Sequence, residues 1–179
     1  MEEPAGLRYE PNFLSAAEEE ATLAFLGALE YEPVTMRGQT ARRTVRHFGL
    51  GYGYESRALT PTEPLPGELE WLRDRAAGLA GVQADELAET LVTRYPSGAG
   101  IGWHRDAPMF AKVVGVSLGA PSRMRFQRRA GDVRRVWELV LEPRSAYVLS
   151  GSARWAWQHS IPAVAEARYS VTFRTLRDQ

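Results

Sequence analysis

The stretch RYSVTFRTL, residues 168–176, alternates polar and apolar side chains over its first seven positions. Successive side chains of a β-strand point to opposite faces, so this period of two predicts a strand with one face in the core. An arginine stands at either end of the polar face, and the backbone between them spans about 20 Å at about 3.3 Å per residue. The apolar face comprises Tyr169, Val171 and Phe173, and the polar face comprises Arg168, Ser170, Thr172 and Arg174.

The two end arginines of this strand allow two interpretations. Arg168 and Arg174 can be solvent-exposed on an outward-facing strand. Alternatively, their long side chains can lean toward one ligand with a carboxylate at each end, because a guanidinium binds a carboxylate through two parallel hydrogen bonds. The strand by itself leaves both interpretations open.

Further short β-prone runs occupy the chain upstream of this strand. Turn-forming segments such as PSGAG, GAPS and AGD separate them. Short strands at this spacing favour a sandwich or barrel over alternating β-α-β units, and a jelly roll with helices packed outside is the economical architecture. The runs are LAETLVTRY (87–95), KVVGVSLG (112–119), SRMRFQRR (122–129), VRRVWELVLEP (133–143) and SAYVLSG (145–151), which with the last strand makes six.

The first 86 residues have a different pattern, with two predicted helices. Ser15 followed by Glu18 is a capping-box sequence, and an apolar stripe after it predicts a helix up to about residue 30. A second helix is predicted from Gly67 to Leu79. The prolines of TPTEPLPGE (60–68) predict an irregular connection, and residues 39–56 predict a ragged hairpin. The expected fold class is therefore mainly β (α+β).

Composition limits the kind of protein and the kind of metal site. The chain has 179 residues, 44% of them hydrophobic and 25% charged, which is ordinary for one globular domain. It has no long apolar run and no signal-peptide pattern at its acidic start, so we expect a cytoplasmic protein without a membrane partner. It also has no cysteine, so a metal would have to be held by histidine and carboxylate.

Charge is unevenly distributed although the net charge is zero. Residues 33–62 and 123–135 are rich in arginine, whereas residues 1–32 and 63–89 are acidic. Two basic segments can line one groove for an anionic ligand, or they can be two solvated hairpin faces.

The segment GWHRDAPMF, residues 102–110, places two potential metal ligands one residue apart. His104 and Asp106 would point the same way from an extended strand end, and His159 is a candidate third ligand further along the chain. Two imidazoles and one carboxylate on one face of a metal leave three open positions, as in non-haem Fe(II) oxygenases. Zinc accepts the same ligands, and a lone H-x-D triplet is common by chance.

Several motifs in a fixed order resemble the AlkB family of Fe(II)- and 2-oxoglutarate-dependent dioxygenases. The resemblance implies a double-stranded β-helix (jelly roll) core at 87–179, and N-terminal helices with a nucleotide-recognition-lid-like hairpin at 1–86. Together they would form a single 2-oxoglutarate/Fe(II) dioxygenase domain over 1–179. The motifs are TRYPSGAGIGWHRD (93–106), GVSLG (115–119) with MRF (124–126), YVLSGSARWAWQHSIP (147–162) and RYSVTFR (168–174), with ARRTVRHFGLGYGY (41–54) resembling the lid.

The resemblance also implies roles for individual residues. His104, Asp106 and His159 would be the catalytic iron ligands, with Fe(II), 2-oxoglutarate and O2 as the cofactors. Arg168 would pair with the distal carboxylate of 2-oxoglutarate, and Arg174 would hold the carboxylate next to its keto group. The other implied cosubstrate-binding residues are Tyr95, Thr93, Leu91 and Ser170.

The implied reaction is oxidative demethylation or hydroxylation of alkylated bases, as in DNA repair, by a protein we expect to be a monomer. A base within a duplex cannot reach such an iron, so the DNA or RNA would be single-stranded or have a flipped base.

Ala107 and Pro108 stand where base-repairing members often carry an acid. Alternatives are an oxygenase acting on a protein or small molecule, and a non-catalytic jelly-roll binding module. Candidate substrate residues are Tyr52, Tyr54, Trp103, Arg42 and Arg43.

Overall fold

Strands make up most of the regular structure in residues 2–53 and 55–178, which the computed structural model describes. The sequence-based prediction of a mainly β (α+β) chain is confirmed. The helices in the described part of the chain are α1 (Ala16–Gly27), α2 (Gly67–Ala80) and α3 (Gly151–Trp155), and a short 3-10 turn covers Ala84–Glu86. The strands are β1 (Leu7–Glu10), β2 (Glu32–Met36), β3 (Gln39–Phe48), β4 (Leu50–Tyr52), β5 (Leu59–Pro61), β6 (Leu87–Tyr95), β7 (Ile101–His104), β8 (Phe110–Gly119), β9 (Ser122–Ala130), β10 (Val133–Leu141), β11 (Ser145–Leu149), β12 (Gln158–Ile161) and β13 (Arg168–Leu176).

Two antiparallel sheets form the predicted jelly roll. The larger has the order β1-β11-β8-β13-β6-β3-β2, and the smaller has the order β10-β9-β12-β7. Val113 of the larger sheet and Phe126 of the smaller belong to one buried apolar cluster, so the inner faces of the two sheets pack together. The strand β13 lies near the centre of the larger sheet, paired with β6 and β8.

The outer face of the larger sheet is covered by α1 and α2. Leu26 of α1, Leu72 of α2 and Phe173 of β13 are each fully buried in a second apolar cluster. The apolar face predicted for the last strand is therefore its helix-packed side. Its polar face points into the space between the sheets, which decides where the two arginines lie.

The sequence-based strand assignment was incomplete in two places. Among the described residues from 87 onward there are eight strands, and the six predicted β-prone runs omitted β7 and β12, although an extended strand end was expected at His104. Each has only four residues, too few for alternation to show.

The predicted hairpin at 39–56 was also partly wrong. The strand β3 pairs with β2 and β6 within the larger sheet and not with β4. The connection 60–68 is less irregular than predicted, since Pro61 ends β5, which pairs with β4 in a separate small sheet. Tyr54 lies outside the described residues. The lid-like segment is thus continuous with the larger sheet through β3.

The N-terminus of α1 carries the predicted capping box. The Ser15 hydroxyl accepts a hydrogen bond from the Glu18 backbone N–H at 3.1 Å, and the Glu18 carboxylate accepts one from the Ser15 backbone N–H at 2.8 Å. The helix ends at Gly27, slightly earlier than predicted. No helix within the described residues is long and apolar enough to cross a membrane.

Removing this cap should weaken the fold measurably. We expect Ser15→Ala to lower the free energy of unfolding by about 1 kcal/mol, because the Glu18 N–H loses its acceptor at a helix start. Urea unfolding followed by circular dichroism measures the change. Ser15→Asp supplies another acceptor and should stay near the wild type, and equal loss in both variants would contradict the capping role.

Candidate active site

Pairing of β7 with β12 brings together two histidines that lie 55 residues apart in the chain. His159 stands directly opposite His104 in the strand register, and the centres of their rings are 4.3 Å apart. Asp106 follows two residues after β7. Its Oδ1 atom lies 3.2 Å from Nε2 of His159 and 3.7 Å from Nε2 of His104.

These three side chains can hold one metal ion. Their potential ligand atoms all lie within 4.8 Å of one another. Nδ1 of His104 lies 2.8 Å from the Gly102 carbonyl oxygen, so a proton on Nδ1 would leave Nε2 free for a metal. Burial opposes ionisation of Asp106, but the charge of Arg174 and the contacts from both imidazoles outweigh it and hold the pKa of Asp106 well below its usual range. The set is thus ready to bind a cation.

The lowered pKa of His104 predicts that the stability of the metal-free protein depends on pH. Burial, aided by the nearby His159, lowers the pKa of His104 from 6.5 to about 4. The unfolded chain therefore takes up this proton first, and stability that is complete above pH 6.5 is lost as the pH falls toward 4. Relative to His104→Gln, wild type should lose about 1 to 2 kcal/mol between pH 7 and pH 5. Urea unfolding at both pH values measures the difference, and a difference independent of pH would contradict the prediction.

Arg168 lies buried between the sheets, not in solvent. Its side chain is fully enclosed, with the residue 1% exposed, and Nε donates a hydrogen bond to the Ser117 hydroxyl at 3.1 Å. The guanidinium carbon lies 5.0 Å from the centre of the Tyr95 ring. Nη1 has no hydrogen-bond partner within the described residues. A buried donor left unpaired is costly, so this position fits a carboxylate supplied by a ligand.

Arg174, at the other end of the same face, reaches the metal-ligating group. Its Nε donates a hydrogen bond to Oδ2 of Asp106 at 2.7 Å, and its Nη1 donates to Oε1 of Glu89. The two carboxylates outweigh the cost of burial and raise the pKa of Arg174, so the side chain stays charged. The interpretation of Arg168 and Arg174 as solvent-exposed arginines is therefore wrong, because the smaller sheet closes over the face of β13 that carries them.

The remaining predicted cosubstrate residues lie beside these arginines. In the pairing of β13 with β6, Arg168 is opposite Tyr95, and Ser170 is opposite Thr93. Leu91 is opposite Thr172 on the same inner face. Thr93, Tyr95 and Ser170 are all buried. The inner face of these two strands therefore carries a cationic group at either end with hydroxyl groups between, an arrangement that suits a dicarboxylate.

Comparison with known proteins identifies the family to which a chain with this geometry belongs. Residues 6–174 match the model of the 2OG-Fe(II) oxygenase superfamily. The chain belongs to this superfamily. As an oxygenase of the AlkB-like type, it is a 2-oxoglutarate-dependent dioxygenase, and its cofactors are Fe(II), 2-oxoglutarate and O2. The alternative of a non-catalytic binding module is thereby disfavoured.

Individual relatives agree with this assignment. The chain is 30% identical over 184 residues, covering 88% of its length, to the "Alkylated DNA repair protein ALKBH8 homolog" of Arabidopsis thaliana. It is 34% identical over 112 residues, covering 55% of its length, to "Alpha-ketoglutarate-dependent dioxygenase AlkB" of Salmonella typhimurium. It spans 51% and 49% of the lengths of these two relatives. The solved structure of OsALKBH1 superposes with a TM-score of 0.71 at 17% identity, covering 98% of both chains, which shows the shared fold.

Two pocket residues of the oxygenase escaped sequence analysis. Glu89 is 1% exposed and binds Arg174. Tyr147 of β11 is 8% exposed, and burial, together with the negative charge of Asp106, raises the pKa of its hydroxyl. A Cβ atom at Gly115 would lie 2.2 Å from the Tyr147 ring, so this glycine makes room for the tyrosine. Glu89 lies an even number of positions before Leu91 and Tyr95, so strand alternation places this acid on the inner face with them. This was the one signal in the sequence that could have identified it.

Arg154 of the oxygenase braces the loop that follows the H-x-D triplet. Its guanidinium donates hydrogen bonds to the backbone carbonyls of Ala107 at 2.8 Å, Phe110 at 2.7 Å and Ala111 at 3.0 Å. The residue is 2% exposed, so these bonds are shielded from water. Arg154 therefore fixes the chain just after Asp106 and ties it to α3, which precedes His159.

Four of the predicted substrate residues, Trp103, Arg43, Arg42 and Tyr52, lie within the described part of the chain. The guanidinium carbons of Arg125 and Arg134 lie 5.2 Å and 5.7 Å from the centre of the Trp103 ring. Arg43 donates a hydrogen bond to the Gly100 carbonyl at 3.3 Å, just before β7. Arg42 is exposed over Gly98, where a Cβ atom would lie 2.7 Å from its Nη1. Tyr52 ends β4 in the small separate sheet and is partly buried.

Proposed function

We propose that this oxygenase removes alkyl groups from bases in single-stranded or flipped DNA or RNA. In this proposal His104, Asp106 and His159 hold Fe(II), Arg168 binds the distal carboxylate of 2-oxoglutarate, and Arg174 binds the carboxylate next to its keto group. When bound, the cofactors supply the oxidation, in which 2-oxoglutarate becomes succinate and carbon dioxide while a substrate carbon is hydroxylated. Residues 1–179 act as one catalytic domain.

The chain's own residues provide binding and orientation. The unpaired Nη1 of Arg168 offers a hydrogen bond to the distal carboxylate, next to the Tyr95 ring. The anionic Asp106 is kept ionised by Arg174 and supplies the only negative charge among the three metal ligands. Arg154 holds the loop after Asp106 by hydrogen bonds to its backbone, which keeps the Asp106 carboxylate in position when the metal binds.

The observation that best supports a nucleic-acid substrate is the contact of the Trp103 ring with two guanidinium groups. Trp103 is the residue before His104, and the guanidinium carbons of Arg125 and Arg134 both lie within contact distance of its ring, at 5.2 Å and 5.7 Å from the ring centre. An aromatic ring offers a base a stacking surface, and guanidinium groups attract the phosphate backbone. Arg42 and Arg43 extend the positive charge along the loop before β7. The name of the Arabidopsis relative, an alkylated DNA repair protein homologue, supports the same class of substrate.

A mass assay tests the substrate directly. The protein is incubated with Fe(II), 2-oxoglutarate, O2 and methylated single-stranded DNA or RNA oligonucleotides, with unmethylated strands as the control. We expect a methylated strand to stimulate succinate formation and to lose the mass of a methyl group. If neither happens while uncoupled succinate formation persists, an oxygenase acting on a protein or small molecule becomes the better proposal.

The basic surface has its own expected result. Arg42→Ala combined with Arg43→Ala should weaken binding of a single-stranded oligonucleotide and reduce its dependence on salt, because fewer counterions are released. Fluorescence anisotropy at several salt concentrations measures both quantities. Arg8→Ala combined with Arg177→Ala is the matched control, since both arginines are exposed and Arg8 lies on β1, at the opposite edge of the larger sheet from β2 and β3. Equal weakening by both pairs would contradict a local binding surface.

A further inference from the structure

Arg174 contacts two buried carboxylates, and only one of them, that of Asp106, belongs to a candidate metal ligand. Arg174 donates to Asp106 through Nε and to Glu89 through Nη1. Glu89 stands opposite Arg174 in the pairing of β6 with β13, and it is 1% exposed. It is not among the three residues whose atoms can converge on a metal. A buried acid is costly, so its presence beside the pocket calls for a function.

The formal charges of the pocket show what Glu89 changes. Arg154, Arg168 and Arg174 lie around the carboxylates of Asp106 and Glu89, so the site without cofactors has one more positive than negative formal charge. Fe(II) brings two positive charges and 2-oxoglutarate brings two negative charges, so loading leaves this net charge unchanged. Without Glu89, the site would carry a second uncompensated positive charge, in a region where water screens charges weakly.

We propose that Glu89 is a positioning residue of the cosubstrate pocket that holds Arg174 by its Nη1 edge and offsets one positive charge. The pocket then binds a dianion firmly enough for reaction and weakly enough for exchange. Succinate, the product, is also a dianion, so the same charge balance governs its release. This inference rests on the proposed assignment of Arg174 to the cosubstrate carboxylate.

Neutralising Glu89 separates its charge from its hydrogen bond. In Glu89→Gln the amide oxygen can still accept from Arg174, but the pocket gains one net positive charge. Two charges separated by about 8 Å at an effective dielectric constant of about 20 interact strongly enough to change affinity roughly thirtyfold. Both 2-oxoglutarate and succinate should therefore bind roughly thirtyfold more tightly.

Calorimetry on protein loaded with Mn(II) in place of iron measures these affinities without turnover. We expect Glu89→Gln to tighten binding of both dianions and, in the iron enzyme, to lower KM and kcat together because succinate leaves more slowly. Glu63→Gln is the matched control, since it removes an exposed carboxylate paired with Arg46 and should leave all values unchanged. Unchanged or weaker binding of both dianions by folded Glu89→Gln protein would overturn the proposal.

Two more variants keep the result interpretable. If Glu89→Gln does not fold, Glu89→Met removes the same charge with a side chain of similar length, and the same tightening is expected. Arg174→Met tests the underlying assignment. If it binds 2-oxoglutarate as tightly as the wild type, the role of Arg174 itself is wrong. If it loses binding while Glu89→Gln matches the wild type, only the role of Glu89 is overturned.

Discussion

Replacing Asp106 with alanine should abolish 2-oxoglutarate turnover and lower the affinity for Mn(II) by roughly a hundredfold or more. Asp106 is the only anionic member of the group formed with His104 and His159. Its loss removes the charge that most favours a divalent cation, and it also frees the Nε edge of Arg174. Succinate formation and Mn(II) calorimetry measure the two effects.

A matched control separates this effect from a general loss of an acid. Asp132 lies exposed in the turn between β9 and β10, so Asp132→Ala should bind Mn(II) and form succinate as the wild type does. Circular dichroism establishes that both variants fold. Wild-type metal affinity in folded Asp106→Ala protein would show that the metal is held elsewhere.

Replacing Phe173 with alanine should lower the free energy of unfolding by about 3 to 5 kcal/mol. Phe173 is fully buried in the cluster formed by the larger sheet and the two long helices. Truncation to alanine removes the buried ring and leaves a cavity that the central strand β13 cannot close without losing its pairing to β6 and β8. Urea unfolding measures the loss.

An exposed apolar residue provides the comparison. Val140 of β10 is 49% exposed, so Val140→Ala should change the free energy of unfolding by no more than about 0.5 kcal/mol. Similar losses in the two variants would mean that Phe173 is less well packed than its burial indicates.

The strand β13 shows what the alternation of polar and apolar residues can predict and what it leaves open. The period of two correctly separated Phe173 from Arg174, but the same pattern allowed either face to meet solvent. The decision came from α1 and α2, which cover the apolar face, and from the smaller sheet, which closes over the polar face. The helices α1 and α2 lie far from β13 in the sequence, and only β12 of the smaller sheet directly precedes it, so no local pattern reports the burial of the arginines.

The short strands show the opposite limit. β7 and β12 carry His104 and His159, yet four residues are too few for a period to be recognised. The motif resemblance grouped the two histidines with Asp106, and the strand register then placed them opposite each other. Their roles as iron ligands stay a prediction until metal binding is measured.

The sequence by itself determined the chemical groups that are available, the period that makes most of the strands, the capping box at Ser15 and the family motifs. Only the tertiary structure decided that Glu89 binds Arg174, that Arg154 braces the loop after Asp106 and that Gly115 makes room for Tyr147. Each of these contacts joins residues more than 30 positions apart. Periodicity and propensity act within one turn or strand, whereas such contacts depend on sheet register and on which faces are enclosed.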